Sequence, residues 1–345
     1  MEISRYNYTS KRHTTSYLSC GPKEGDLIVM MHGWPDLSIS WEAQLKFFGA
    51  KGFHAVAPDM RGYGQSSIHN KKNDYCMKEI VADMTELLSG LGQKEAIWIG
   101  HDWGSPVAWN IALHEPDKAK GIVSLCVPFG WGGHPNSYLS TVNRNTYPID
   151  EYPYGQWDYM FFYLDNFELV LKQMEEDIKK FLAITFRRPS DETISMFNTA
   201  KGYKSPTALI TKNGGWFRQN GYEGLKSMPE IKFDKQILSN EKSQFYIDTF
   251  LKNGLRGPNS WYMNGSKNDD YAEELGGFTP ITKPVLFIAG ENDSVLTPET
   301  NSHNAMVCTN LTEKSLQTGH WMAMEKPAEV NSIIFSWIEK NFLQL

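Results

Sequence analysis

The sequence predicts an α/β fold, a mostly parallel sheet flanked by helices and interrupted once by a long helical insertion. Three observations carry that expectation. Apolar runs at 26–31, 96–99 and 121–127 read as strands buried on both faces. Helical patterns fall between the strands, and such alternation implies a parallel sheet covered on both sides. From about residue 131 to residue 279 the strand signals stop, and an aromatic-rich, mostly helical stretch takes their place.

Residues 3–9 and 13–19 alternate enough for a short antiparallel pair with a turn at Ser10-Lys11. Strand 26–31 ends in His32-Gly33-Trp34-Pro35, and a helix follows over 40–51. Strand 54–57 runs into a Gly-rich loop, 58–66. Residues 74–91 read as a helix with Ile80, Met84, Leu87 and Leu88 on one face. Then come strand 96–99, a helix over 105–114 and strand 121–127. In the insertion, 158–166, 167–185, 191–196 and 241–252 read as helices, and 212–229, with several glycines, as a long loop. The alternation resumes with strand 284–290, a short helix including 302–306, a short strand 314–316 and a terminal helix 327–341. The expected organisation is a core of 1–130 and 280–345 with a helical cap of 131–279, free of repeats and low-complexity segments.

At 345 residues the chain has room for a large core and an insertion. A net charge of −6 argues against nucleic acid or an anionic membrane as partner. Cys20, Cys76, Cys126 and Cys308 are scattered and form no Cys-x-x-Cys, so neither a zinc site nor a disulfide framework is expected. The start of the chain lacks the apolar core of a signal peptide, the end is not a peroxisomal tripeptide, and no apolar run approaches a membrane span. A cytoplasmic monomer or homodimer is the expectation.

The chain is organised around Ala96-Ile97-Trp98-Ile99-Gly100-His101-Asp102-Trp103-Gly104. A strand, a Gly-x-Asp-x-Gly turn and a helix have the geometry of a nucleophile elbow, whose sharp turn presents its apex residue at the carboxyl edge of the sheet. The usual apex is Ser; here it is Asp102. A carboxylate is already ionised at neutral pH. It displaces a leaving group at a saturated carbon when held in line with it. Water must then cleave the resulting ester. A strand-end Asp that caps the next helix is the competing reading, and the motif alone does not choose.

The remainder of the chain supplies the partners such chemistry needs. An ester requires a water-activating base, and the base an orienting acid, in the chain order nucleophile, acid, base. Glu291 and Asp293 both follow strand 284–290 as acids, and His320 follows the last strand as base. His101, beside the apex, is expected to point the opposite way. Ester cleavage builds charge on a carboxyl oxygen, so backbone N–H donors are needed: Trp103, after the nucleophile, and Trp34, with Trp34-Pro35 read as a cis bond.

These motifs resemble the soluble epoxide hydrolase family of α/β-hydrolases. The matching residues are His32-Gly33-Trp34-Pro35, Arg61-Gly62-Tyr63-Gly64-Gln65-Ser66, Gly100-His101-Asp102-Trp103-Gly104, Asp293 and Gly319-His320-Trp321. The resemblance implies an α/β-hydrolase core with an inserted cap and selects Asp293 as the acid. It further implies two cap tyrosines that hold the epoxide oxygen. Tyr159, in Asp158-Tyr159-Met160-Phe161-Phe162-Tyr163, takes one place, with Tyr152, Tyr154 and Tyr163 as rivals. Tyr262, after Arg256-Gly257-Pro258, takes the other. The expected reaction is epoxide hydrolysis to a vicinal diol, without metal or organic cofactor. Trp34, Trp103, Phe129, Trp131, Phe162 and Trp321 are expected to wall a pocket for an apolar or aryl epoxide. Gly-His-Asp-Trp-Gly is shared with haloalkane dehalogenases, which makes dehalogenation the alternative. A non-catalytic receptor on the same fold is the third reading. The loop 212–229 matches no family pattern. No phosphatase-like segment precedes the motifs, so lipid-phosphate hydrolysis is not implied.

Overall fold

A computed structural model describes residues 1–197, 199, 202–218, 221–297 and 303–343. Its strands are β1 (Ser4–Thr9), β2 (Thr14–Cys20), β3 (Leu27–Met31), β4 (His54–Pro58), β5 (Ala96–His101), β6 (Ala119–Leu125), β7 (Val285–Gly290) and β8 (Leu311–Leu316). They form one sheet in the order β1-β2-β4-β3-β5-β6-β7-β8. β1 pairs antiparallel with β2, and β2 with β4; the remaining pairs are parallel. Every residue of β3, β4, β5 and β7 is buried, as strands covered on both faces require. The edge strand β8 exposes Glu313, Lys314 and Ser315. That polar edge discourages pairing with another chain. The strand begins at Leu311, three residues before the expected 314–316.

On the flanks, α1 (Glu42–Ala50) packs on β4, α2 (Met77–Gly90) lies against α3 (Gly104–His114), and α3 covers β5 and β6. The predicted helix 74–91 is divided. Residues Lys72–Tyr75 form a 3-10 turn, Cys76 is extended, and α2 begins at Met77. The Met77 N–H is taken by Asn268 Oδ1 at 2.7 Å, a cap from a distant helix that no local pattern reveals.

Between β6 and β7 the described residues hold helices and no strand of the sheet: α4 (Asp158–Glu175), α5 (Ile178–Thr185), α6 (Asp191–Phe197), α7 (Ile210–Asn213), α8 (Asn240–Asn253), α9 (Arg256–Ser260) and α10 (Gly265–Glu273). The expected break between 166 and 167 is a kink inside α4, where Asn166 leaves helical geometry. The true break is at Asp177, whose carboxylate caps α5 by accepting from the Lys180 N–H at 3.0 Å. The sequence reading missed α10. Its buried positions are Gly265, Asn268 and Tyr271, so it carries no apolar stripe. The chain closes with α11 (Asn304–Val307), α12 (Met322–Glu325) and α13 (Pro327–Phe342), the last meeting α1. Residue 302 of the predicted short helix lies outside the described residues.

All four cysteines are free. Among the described residues no helix is long and apolar enough to cross a membrane.

Candidate active site

β5 delivers the chain to Asp102, which adopts a left-handed conformation with φ 49°, and α3 starts two residues later. L-residues rarely take that conformation, and such strain collects at functional sites. The turn closes because its neighbours lack side chains. A Cβ on Gly33 would collide with Asp102 Oδ1 and stand 2.5 Å from the Trp103 nitrogen, and one on Gly104 would stand 3.0 Å from the His32 carbonyl.

The Trp34 N–H donates to Asp102 Oδ1 at 2.6 Å, and the Trp34-Pro35 bond is cis. The other carboxylate oxygen, Oδ2, lies 3.7 Å from His320 Nε2. His320 Nδ1 donates to Asp293 Oδ2 at 2.7 Å. Asp293 Oδ1 accepts from the N–H groups of Val295 and Leu296 at 2.9 and 3.0 Å. Of the two acids offered by the sequence, the structure brings Asp293 to His320. Glu291 turns instead toward Ser315 and Gln317 at the sheet edge.

The electrostatics follow from burial and pairing. Burial pushes the Asp102 carboxyl up, against the pull of His320 and the N–H groups of Trp34 and Trp103. Burial also works against ionised Asp293, yet the charge and hydrogen bond of His320 and two backbone donors hold it below the ordinary carboxylate value. Burial disfavours the charged His320, but the charge and hydrogen bond of Asp293, joined by Cys126, together lift the imidazole well above its usual value.

Two groups not foreseen from the sequence hold the His320 loop. Glu325 of α12 accepts from the N–H groups of Gly319 and Trp321 at 3.0 and 3.2 Å. His101 does not line the cavity, but neither does it point away from the triad. Its Nε2–H donates to the His320 carbonyl at 2.8 Å, and the two rings lie 4.8 Å apart. Burial pushes its imidazole down to about 3, so it is neutral and has one proton to donate.

Above the carboxylate opens a cavity of about 520 Å³. Trp34, Asp102, Trp103, Trp131, Tyr159, Tyr262, Asp293, His320 and Trp321 all line it. The Tyr159 and Tyr262 rings stand 5.8 Å apart, and Tyr262 meets Trp103 edge-on at 5.0 Å. Of the rival tyrosines, Tyr163 is fully buried behind Tyr262, and Tyr152 and Tyr154 do not line the cavity. Two expected wall residues fall outside it. Phe129 packs on Trp109 of α3, with ring centroids 5.7 Å apart, and Phe162 is buried in the body of α4. The unpatterned loop supplies Trp216 and Phe217 in their place. Gln173 of α4 shapes that loop: its Oε1 accepts from the Trp216 N–H at 2.9 Å and its Nε2 donates to the Gly214 carbonyl at 3.3 Å.

A family described by the alpha/beta hydrolase fold matches residues 26–327. The chain is an alpha/beta hydrolase. This hydrolase is 30% identical over 317 residues to bifunctional epoxide hydrolase 2 of Sus scrofa, covering 91% of the chain and 52% of that relative. It thus spans about half the length of the mammalian relatives it matches. It is 28% identical over 329 residues to epoxide hydrolase A of Mycobacterium tuberculosis, covering 93% of the chain and 92% of the relative. The crystal structure of epoxide hydrolase A from Mycobacterium thermoresistibile superposes with a TM-score of 0.76 at 25% identity, covering 98% of each chain. The hydrolase therefore has the expected core and a helical cap inserted between β6 and β7.

Proposed function

We propose that this hydrolase converts an apolar or aryl epoxide to a vicinal diol through an ester on Asp102, with water as co-substrate. The observation that carries the reading is a carboxylate at the elbow facing a cavity that also holds two cap phenols, Tyr159 and Tyr262. Ring opening needs both a nucleophile and an acid for the oxygen. Burial pushes both phenols above their ordinary value and the Asp102 charge adds to it; Tyr159 adds to the rise of Tyr262, while the hydrogen bond with Tyr262 offsets part of the rise of Tyr159, and both stay protonated. In the first step the Asp102 oxygen turned away from the Trp34 N–H attacks a ring carbon. The ring C–O bond breaks as the oxygen takes a phenolic proton. In the second, His320 Nε2 takes a proton from water, and the hydroxide oxygen adds to Asp102 Cγ. The N–H groups of Trp34 and Trp103 hold the resulting oxyanion. The alcohol oxygen then leaves Cγ with the proton held by His320, the diol departs, and the proton of the restored Asp102 carboxyl returns to the phenolate. The relatives named as epoxide hydrolases support the same reaction.

The proposed cap is residues 131–279, with Trp131, Trp216 and Phe217 among the aromatic walls that suit an apolar substrate. A dehalogenase needs free N–H donors for a halide. Trp103, after the elbow residue, is the first donor that reading would use; a second at Trp34 is not free, because its indole N–H is already donated to Asn259 Oδ1 at 2.7 Å. The test is diol formation from styrene oxide beside halide release from 1-chlorohexane. Diol without halide is the expected result; halide without diol replaces the reading with dehalogenation.

The two half-reactions should separate with pH. Ester formation needs ionised Asp102, so it falls on the acid side, with a midpoint above the ordinary carboxylate value because burial raises this carboxyl. Ester cleavage needs neutral His320, so it rises with pH. Esterification removes the Asp102 charge 3.7 Å from the imidazole and so loosens its proton, while the pull of Asp293 remains. Stopped-flow tryptophan fluorescence in single turnover follows both phases. A cleavage rate independent of pH from about 5 to about 9 would count against His320 as base.

A further inference from the structure

The turn that presents Tyr262 is seated on the core at several points. Gly257 backs onto Gly62, so closely that a Cβ on Gly257 would stand 2.8 Å from the Gly62 carbonyl oxygen. Trp261 Nε1 donates to the Arg61 carbonyl at 3.0 Å, and the Arg61 guanidinium grips Asp83 at 2.6 and 2.7 Å. Within this seat Asn259 is completely buried. Its Oδ1 accepts from the Trp34 indole, and its Nδ2 reaches Met174 Sδ at 3.5 Å. Trp34 is the residue whose backbone N–H meets Asp102 Oδ1. Two residues on, Asp36 accepts from the Tyr246 hydroxyl of α8. The loop that carries the oxyanion donor is therefore tied to the cap by two side-chain bonds.

We propose that Asn259 is a positioning residue that holds the Trp34 indole, and through it the peptide N–H aimed at Asp102. This rests on the ester reading above. The two half-reactions ask different things of that N–H. In ester formation the carboxylate loses charge, so a weaker donor does not slow attack. In ester cleavage charge builds on the held oxygen, and a displaced donor slows it. An acceptor is needed at Asn259 because an apolar residue would leave the part-buried indole N–H without its protein partner and release the ring.

The experiment compares wild type, Asn259→Leu, Trp34→Phe and the double variant in single turnover with styrene oxide. Intact mass follows the ester and diol release follows its decay. Asn259→Leu should slow decay about 10- to 100-fold and leave ester formation within about threefold. If Asn259 acts through the indole, the double variant decays no more slowly than Trp34→Phe alone. Effects that multiply in the double variant overturn the proposal. Asn259→Ser draws the acceptor oxygen back from the indole without apolar bulk and serves where the Leu variant does not fold. A second readout needs no turnover: in nitrogen-labelled tryptophan spectra the Trp34 indole proton should exchange slowly in wild type and fast in Asn259→Leu. Absence of any ester in wild type defeats the functional reading. Unchanged indole exchange in Asn259→Leu defeats the positioning role.

Discussion

Replacing Asp102 by Ala should abolish diol formation, with a loss of roughly 10,000-fold or more in single-turnover rate. Among the described residues no other ionised carboxylate is placed to substitute: Asp293 also lines the cavity, but its oxygens are committed to His320, Val295 and Leu296. The fold should survive, and its thermal midpoint should not fall. Burial raises the Asp102 carboxyl above its unfolded value, so at neutral pH the ionised group opposes folding, and its removal relieves that cost. A loss of activity with intact stability therefore separates chemistry from collapse. The ester also dictates the fate of oxygen. In heavy-oxygen water the first turnover should leave the label on Asp102 and release unlabelled diol, because the bond between the ester's alcohol oxygen and the former ring carbon is not broken in the second step. Labelled diol in that first turnover would mean direct attack of water on the epoxide and would sink the ester. Full activity in Asp102→Ala would remove the elbow from the mechanism altogether.

The parts of this site that were legible in the sequence are those fixed by local geometry. Buried strand, Gly-x-Asp-x-Gly and helix lie in one short stretch, and its periodicity changes from strand to helix at Asp102 itself. His320 is legible by chain order. The choice between Glu291 and Asp293 is not, because both follow β7 within three residues; only the neighbouring edge strand, with Ser315 and Gln317, shows why Glu291 turns outward. The pocket wall is less legible still. Tyr159 and Phe162 share α4, but one faces the cavity and the other its own core, a matter of helix rotation set by the packing of the cap. Trp216 and Phe217 lie in a loop with no motif of its own, shaped by Gln173 from a helix some forty residues earlier. The adjacent aromatic pair after Gly214-Gly215 is the signal that points to them. Asn259 and Glu325 belong to the same class, since each owes its role to a partner distant in space or to backbone groups with no side-chain signature.

His320→Gln should stop the reaction halfway. Gln keeps an N–H for the buried Asp293 carboxylate, which the loss of His320 would otherwise leave with two backbone donors, and it cannot take a proton from water. In the proposed mechanism ester formation uses Asp102 and the two phenols, so it should proceed. Ester cleavage should slow by about 100- to 10,000-fold, the range that a general base contributes. Protein mixed with styrene oxide should therefore gain the mass of one substrate molecule, and peptide mapping should place it on Asp102. In wild type the same adduct should be transient. Turnover at the wild-type rate would mean that another group activates water. Absence of both adduct and diol would mean that the imidazole is required before the ester exists. The geometry argues for accumulation of the adduct: His320 Nε2 stands 3.7 Å from Asp102 Oδ2, beyond a direct hydrogen bond. At that separation the imidazole is better placed to work on water beside the ester than to assist the carboxylate in forming it.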